Sequence, residues 1–222
     1  MSAVAEHGHE HHPHQAHHFY SMEQQRASGK LGMWLFIGNE FLFFSGIFMA
    51  YIFLRSSYPE MVLAASHHLD WKMGGFNTLV LLYSSLTMAL GVRAAQLGDN
   101  KALGKWTLIT IACALLFCVV KAFEYKAKIQ GGFLPPDLWT AGAAPLPGQP
   151  GPWMFYGLYF VATGLHAIHV LIGVGLLIWI YVRAKRNEFD AEHNIAVENV
   201  GLYWHLVDMI WIFMFPLLYL VA

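Results

Sequence analysis

Two histidines, His166 and His169, stand three residues apart inside the apolar run FVATGLHAIHVLIG at 160–173. On a helix that spacing is about one turn, so Ala162, His166, His169 and Gly173 are expected on one face, with small residues on either side of the imidazoles. Other polar groups stand in comparable runs: Glu40, Glu124, Glu198, His205 and Asp208. Imidazoles and carboxylates at membrane depth do one of three things: they ligate a metal or haem, they relay protons, or they hydrogen-bond one another between helices.

Each use makes its own demand. A haem would need an axial histidine facing a second ligand on another helix, and His166 or His169 with His205 supplies only the residue types. HxxH with a distant Asp or Glu is a partial zinc shell, but no HExxH general base is present. A proton path needs groups from face to face; Glu198 supplies one near the inner end, and no outer exit group follows. Cys113 and Cys118 are separated by about 140° on a helix, too far around for a local disulfide, and read as packing residues.

The elements that position these groups follow from hydropathy. Of 222 residues 57% are apolar and 12% charged, with a mean hydropathy of +0.45. That charged share is about half the usual value for a soluble domain. Five apolar runs, at about 31–54, 75–97, 105–125, 153–182 and 197–221, approach or exceed the roughly 20 residues needed to cross a bilayer as helix. The fold class read here is all-α, one polytopic bundle of five transmembrane helices. Net charge of -1 gives no reason to expect nucleic acid as a partner.

Residues 1–30 hold seven of the 13 histidines and are expected to be a disordered tail without a fixed metal site. They lack the apolar core of a secretory signal, so the first span is expected to be retained. Gly32, Asn39 and Gly46 recur by sevens in the first span, and Asn77, Ser84 and Gly91 in the second, both suited to close helix packing. Lys121 and Glu124 share a face at the end of the third, as an ion pair or as a solvated helix end. The stretch 130–152 carries six prolines among glycines and is expected to be loop. Glu198, Gly201, His205 and Asp208 share one face of the fifth span, and Pro216 should bend its end. With the N-terminus cytoplasmic and the C-terminus external, eight of the 13 Lys and Arg lie inside, a modest positive-inside bias.

Five segments carry a family likeness: GMWLFIGNEFLFFSG at 32–46, NTLVLLYSSLT at 77–87, FEY at 123–125, FVATGLHAIHVLIG at 160–173 and YWHLVDMIWIF at 203–213. In this order they resemble subunit III of the haem-copper terminal oxidases, most closely of cytochrome c oxidase. The resemblance implies an accessory subunit in the inner (cytoplasmic) membrane with no catalytic, cofactor or metal site of its own. Its partners would be the catalytic subunit I, which holds haem and copper and reduces dioxygen while protons are pumped, other oxidase subunits, and membrane phospholipid. The implied roles are stabilisation and support of proton uptake. By motif, Glu40 and Glu124 match the family's intramembrane acids, and His166, His169, His205 and Asp208 the polar positions of the last two helices. Arg183 and Arg186 resemble basic positions that meet lipid phosphates. Many relatives have seven spans, and the five here match the last five, so the lipid cleft formed with the first two is expected either to be absent or to have its other wall built by another subunit. A quinol oxidase or nitric-oxide reductase subunit, a small haem- or metal-bearing membrane redox protein, and a transporter with Glu40 as proton carrier are the alternative readings.

Overall fold

The computed structural model describes residues 19–134, 150–191 and 193–220. Helix α1 spans Met22–Ser57, a short α2 Pro59–Ser66, α3 Trp71–Gln96, α4 Asn100–Gln130, α5 Trp153–Lys185 and α6 Ile195–Phe215, continued by a π-helical turn at Pro216–Leu220. Five of these segments are long and apolar enough to cross a membrane. The all-α, five-span reading therefore holds, and no strand occurs among the described residues.

Helices α3, α4, α5 and α6 form a closed antiparallel four-helix bundle in which α3 packs on α4, α4 on α5, α5 on α6 and α6 back on α3. Helix α1 lies outside it, against α6 and α5, and only Phe44, Tyr51 and Leu54 of its side chains are buried. Helix α2 bridges α1 to α5. The tight α3–α4 turn has local causes. Gly98 takes the left-handed φ of +73° that ends α3, and the Asp99 side chain accepts the Ala102 N–H to start α4.

Two boundaries depart from the sequence reading. Helix α1 begins at Met22, so residues 22–30 belong to the helix and not to the tail. Ser21 accepts the Gln24 N–H at 3.1 Å, Gln24 reaches back to the Tyr20 N–H at 2.8 Å, and Glu23 sits in the positive first turn. Helix α2 falls where a loop was expected, with Pro59 in the first turn, where its missing N–H costs nothing. The histidines of the tail, the prolines at 135–147 and the last two residues lie outside the described residues.

The two seven-residue stripes part company. Asn77, Ser84 and Gly91 are buried in the α3 interface, as close packing requires. Gly32, Asn39 and Gly46 face outward, and a Cβ on either glycine would meet nothing within 4 Å. The expected packing role of the α1 stripe is not realised within this chain. A periodicity marks a face without naming what covers it.

Candidate functional site: the intramembrane polar groups

His166 and His169 point to different neighbours. Three residues of helix amount to about 300°, which leaves about 60° between the two side chains. That is enough, at the junction of α5 with its neighbours, to send one ring into the bundle and the other to α1. The expected single face of Ala162, His166, His169 and Gly173 is thus split.

His169 Nε2 lies 3.1 Å from Glu40 Oε2, and its Nδ1 lies 2.8 Å from the Leu165 carbonyl. A carbonyl only accepts, so Nδ1 carries a proton. The Nε2–Glu40 contact then holds one further proton, either on the imidazolium or on the carboxyl. Phe44 closes the pair edge-on at 5.2 Å from the imidazole, and Tyr203 donates its hydroxyl to the His169 carbonyl at 2.9 Å. Both side chains are about 15% exposed, at 14% and 15%, on the side where α1 meets the bundle.

His166 is fully buried between Phe117, whose ring is 5.6 Å away at 77°, and Trp211 at 5.2 Å. Neither of its ring nitrogens has a hydrogen-bond partner among the described residues. Aromatic side chains occupy both sides of the ring, so hydrogen bonding between helices is not realised at this residue among the described residues.

Lys121 and Glu124 are not a solvated helix end. They are 5% and 3% exposed and form a cluster with Tyr159 of α5 and Tyr219 of the terminal π turn. Lys121 Nζ donates to Glu124 Oε2 at 2.9 Å, to the Tyr159 hydroxyl at 3.1 Å and to the Tyr219 hydroxyl at 2.9 Å. Both tyrosines donate to Glu124 Oε1, at 2.8 and 2.5 Å. The ammonium also lies within 5.1–5.5 Å of the ring centroids of Tyr125, Tyr159, Trp211 and Tyr219. Three donated hydrogen bonds and an aromatic cage compensate an ammonium group taken out of water. Proline at 216 lacks the N–H that would continue the α-helical ladder, and the π turn that follows brings Tyr219 to the ion pair.

On α6 the four sequence-selected residues do not act together. Glu198 pairs with Lys30 at 3.1 Å and accepts from Gln96 at 3.1 Å, tying α6 to α1 and α3. Gly201 admits Val92 and Met88 of α3. His205 Nδ1 meets the Ser85 hydroxyl at 2.8 Å. Asp208 is 2% exposed, and neither carboxylate oxygen has a hydrogen-bond partner among the described residues.

Arg183 is committed at the C-terminal end of α5. Its Nε donates to Glu188 Oε2 at 2.7 Å, its guanidinium stacks on Trp179 and Phe189, and Arg186 comes within 3.8 Å of the same carboxylate. The Arg183 hydrogen bond and the positive charge of both arginines hold the Glu188 carboxyl below its usual range.

Sequence reading missed Ser85, Tyr159, Tyr203 and Tyr219 as partners. Hydroxyls at helical spacing read as ordinary packing, and nothing short of the helix order tells which carboxylate they face. A usable signal did exist for Lys121, a cation inside an apolar run three residues before an acid.

As a haem or metal site the arrangement does not fit. His169 is held by Glu40, His205 by Ser85, and His166 is closed in by aromatic rings. Among the described residues no group of three or more His, Cys, Asp or Glu side chains is placed to hold a metal ion. What the geometry defines is a multi-pass helical membrane protein whose polar side chains largely join its own helices.

The family model of cytochrome c oxidase subunit III matches residues 11–131 and 153–222. The chain is 31% identical over 190 residues to cytochrome c oxidase subunit 3 of Synechocystis sp., covering 85% of this chain and 74% of that protein. It is 29% identical over 197 residues to the Corynebacterium diphtheriae protein of that name and 30% over 193 residues to that of Thermostichus vulcanus, in each case covering 86% of this chain and 87% of the relative. The chain belongs to the cytochrome c oxidase subunit III family.

Proposed function

We propose that this chain is the accessory, non-redox subunit III of a proton-pumping haem-copper terminal oxidase of aerobic respiration, with cytochrome c as the electron donor of the complex. It works as a polytopic wall beside the catalytic subunit I, which carries the haem and copper, and it stabilises that subunit and supports its proton uptake. The observation that carries the reading is how the polar groups are joined. Glu40 with His169, Ser85 with His205, and Lys121 with Glu124, Tyr159 and Tyr219 each link two or more elements of this chain. Groups so engaged act as fasteners in a lipid environment, where an unpaired polar group is costly.

The proposed location is the inner (cytoplasmic) membrane, N-terminus inside and C-terminus outside. Lys30, Arg93, Lys101, Lys105, Arg183, Lys185 and Arg186 lie at the ends of the spans that this orientation puts in the cytoplasm, in keeping with the positive-inside bias.

Affinity purification through a tag on this chain tests the proposal. The expected result is a large subunit with haem and copper spectra, and cytochrome c oxidation by the complex that persists when the chain is removed but declines faster during turnover. Recovery of a complex that oxidises quinol and not cytochrome c would overturn the donor assignment. A haem spectrum in the isolated chain would overturn the non-redox role.

A further inference from the structure

Between the start of α4 and the end of α5 lies a groove of about 460 Å³ lined by Asn100, Lys101, Gly104, Lys105, Leu108, Tyr181, Ala184, Lys185 and Asn187. Its polar rim holds three lysines and no carboxylate. All three lysines are exposed, and among the described residues none makes an ion pair with an acid. Glu188, on the segment that follows α5, is held by Arg183 and Arg186. Lys101 and Lys105 lie in the first two turns of α4, whose N-cap carboxylate, Asp99, is engaged by the Ala102 N–H and does not line the groove. Like charges gathered at one rim repel one another, and an anion placed among them relieves that repulsion.

The groove changes character with depth. Lys101 and Lys105 are four residues apart on α4 and so stand one above the other, and Leu108 follows one turn deeper, half exposed. On α5, Tyr181 lies one turn deeper than Lys185, whose ammonium is 5.6 Å from the Tyr181 ring centroid. Gly104 keeps the floor open, since a Cβ there would reach 3.9 Å from Tyr181 Cε2. Seven residues of helix carry the wall about 10 Å from the charged rim toward the hydrocarbon. Charge at the water surface with an aromatic and aliphatic wall beneath it matches an amphiphile with an anionic head. It does not match a free ion, which would use the rim alone.

We infer that this groove holds an anionic glycerophospholipid, its phosphate among Lys101, Lys105 and Lys185 and its acyl chains running past Tyr181 and Leu108. Basic pockets between transmembrane helices are the general means by which such heads are recognised. The site is distinct from Arg183 and Arg186, whose charge Glu188 already meets, and it requires only that the chain spans a bilayer.

The test uses the full chain in its native complex, stripped of lipid in mild detergent and treated with an amine-modifying reagent, with labelling read lysine by lysine by mass spectrometry. Phosphatidylglycerol micelles should protect Lys101, Lys105 and Lys185 at least about tenfold relative to phosphatidylcholine. Lys72 and Lys126, which lie outside the groove, should remain equally reactive in both lipids. Inorganic phosphate should give no protection. Gly104→Leu fills the floor without altering charge and should reduce retained phosphatidylglycerol by about the same factor. Equal labelling in the two lipids, uniform protection of every lysine, protection by phosphate alone, full retention by Gly104→Leu, or protection that tracks an acidic co-purifying subunit would each overturn the inference.

Discussion

Glu40 Oε2 and His169 Nε2 are 3.1 Å apart, a side-chain contact that joins α1 to α5. Because α1 buries so few side chains, the pair has a disproportionate share in seating it. Loss of one partner leaves the other polar group at the lipid edge, whereas loss of both leaves neither.

Glu40→Leu and His169→Leu are therefore expected to loosen α1 singly, and the double variant to lose less than their sum, with a coupling on the order of 1–2 kcal/mol. Cross-linking yield between cysteines placed on α1 and α5, followed through detergent denaturation, measures it. Additive losses would mean that the pair contributes no coupling. Glu40→Gln keeps a hydrogen-bonding group opposite Nε2 and should fall between wild type and Glu40→Leu.

The Lys121–Glu124 cluster gives a stronger form of the same asymmetry. Lys121→Met strands a buried carboxylate, and Glu124→Leu strands a buried ammonium, each at a cost of about 3–5 kcal/mol. The double replacement removes both charges and should be markedly milder than either single variant in an unfolding assay such as steric trapping. Tyr219→Phe removes one donor to Glu124 and one acceptor from Lys121, and should cost roughly 1–3 kcal/mol while leaving the ion pair in place.

How much of this was legible in the sequence depends on the range of the interaction. The spans were visible because crossing a bilayer demands a long apolar run. The α3 stripe was visible because Asn77, Ser84 and Gly91 are small or compact residues in a packed interface. The start of α1 was also written locally, in Ser21 and Gln24, but a histidine-rich context masked the capping signal. Partner identity was not local. The roughly 60° offset that sends His169 to Glu40 and His166 to Phe117 and Trp211 follows from helix geometry, yet which helix lies on each side follows only from the whole bundle. Glu40 is the exception, since a carboxylate at mid-span must find a partner and the histidines of the fourth span were among the few available.

At the C-terminal end of α5 the Arg183–Glu188 contact has a pH dependence of definite sign. Glu188 is a carboxylate held below its ordinary range, first by the Arg183 hydrogen bond. A group depressed in the folded state contributes stability above its unfolded pKa and loses it as pH falls through the folded value. The segment 186–191 should thus be ordered at neutral pH and loosen only on the acid side, as pH falls through and below the ordinary carboxylate range. Hydrogen exchange of its amides against pH reads this out, and Glu188→Gln should remove the acid-side change while leaving exchange elsewhere in α5 untouched.

Gly173 lies where α5 packs tightly against side chains of α6. A Cβ there would lie 2.7 Å from Trp204 Cζ3 and 3.2 Å from Tyr203 Cε1. Trp204 is fully buried, and its indole N–H is fixed to Ser84 Oγ at 3.1 Å, so the ring cannot swing aside without giving up that bond. Gly173→Ala should therefore push the helices apart and cost about 1–3 kcal/mol, although alanine is the better helix former. Gly32→Ala is the matched control, because a Cβ there meets nothing within 4 Å of this chain. It should be neutral or stabilise by up to about 1 kcal/mol. Thermal denaturation of the two variants side by side separates close packing from helix propensity: equal behaviour at both positions would show that α5 and α6 are not held at contact by residue 173.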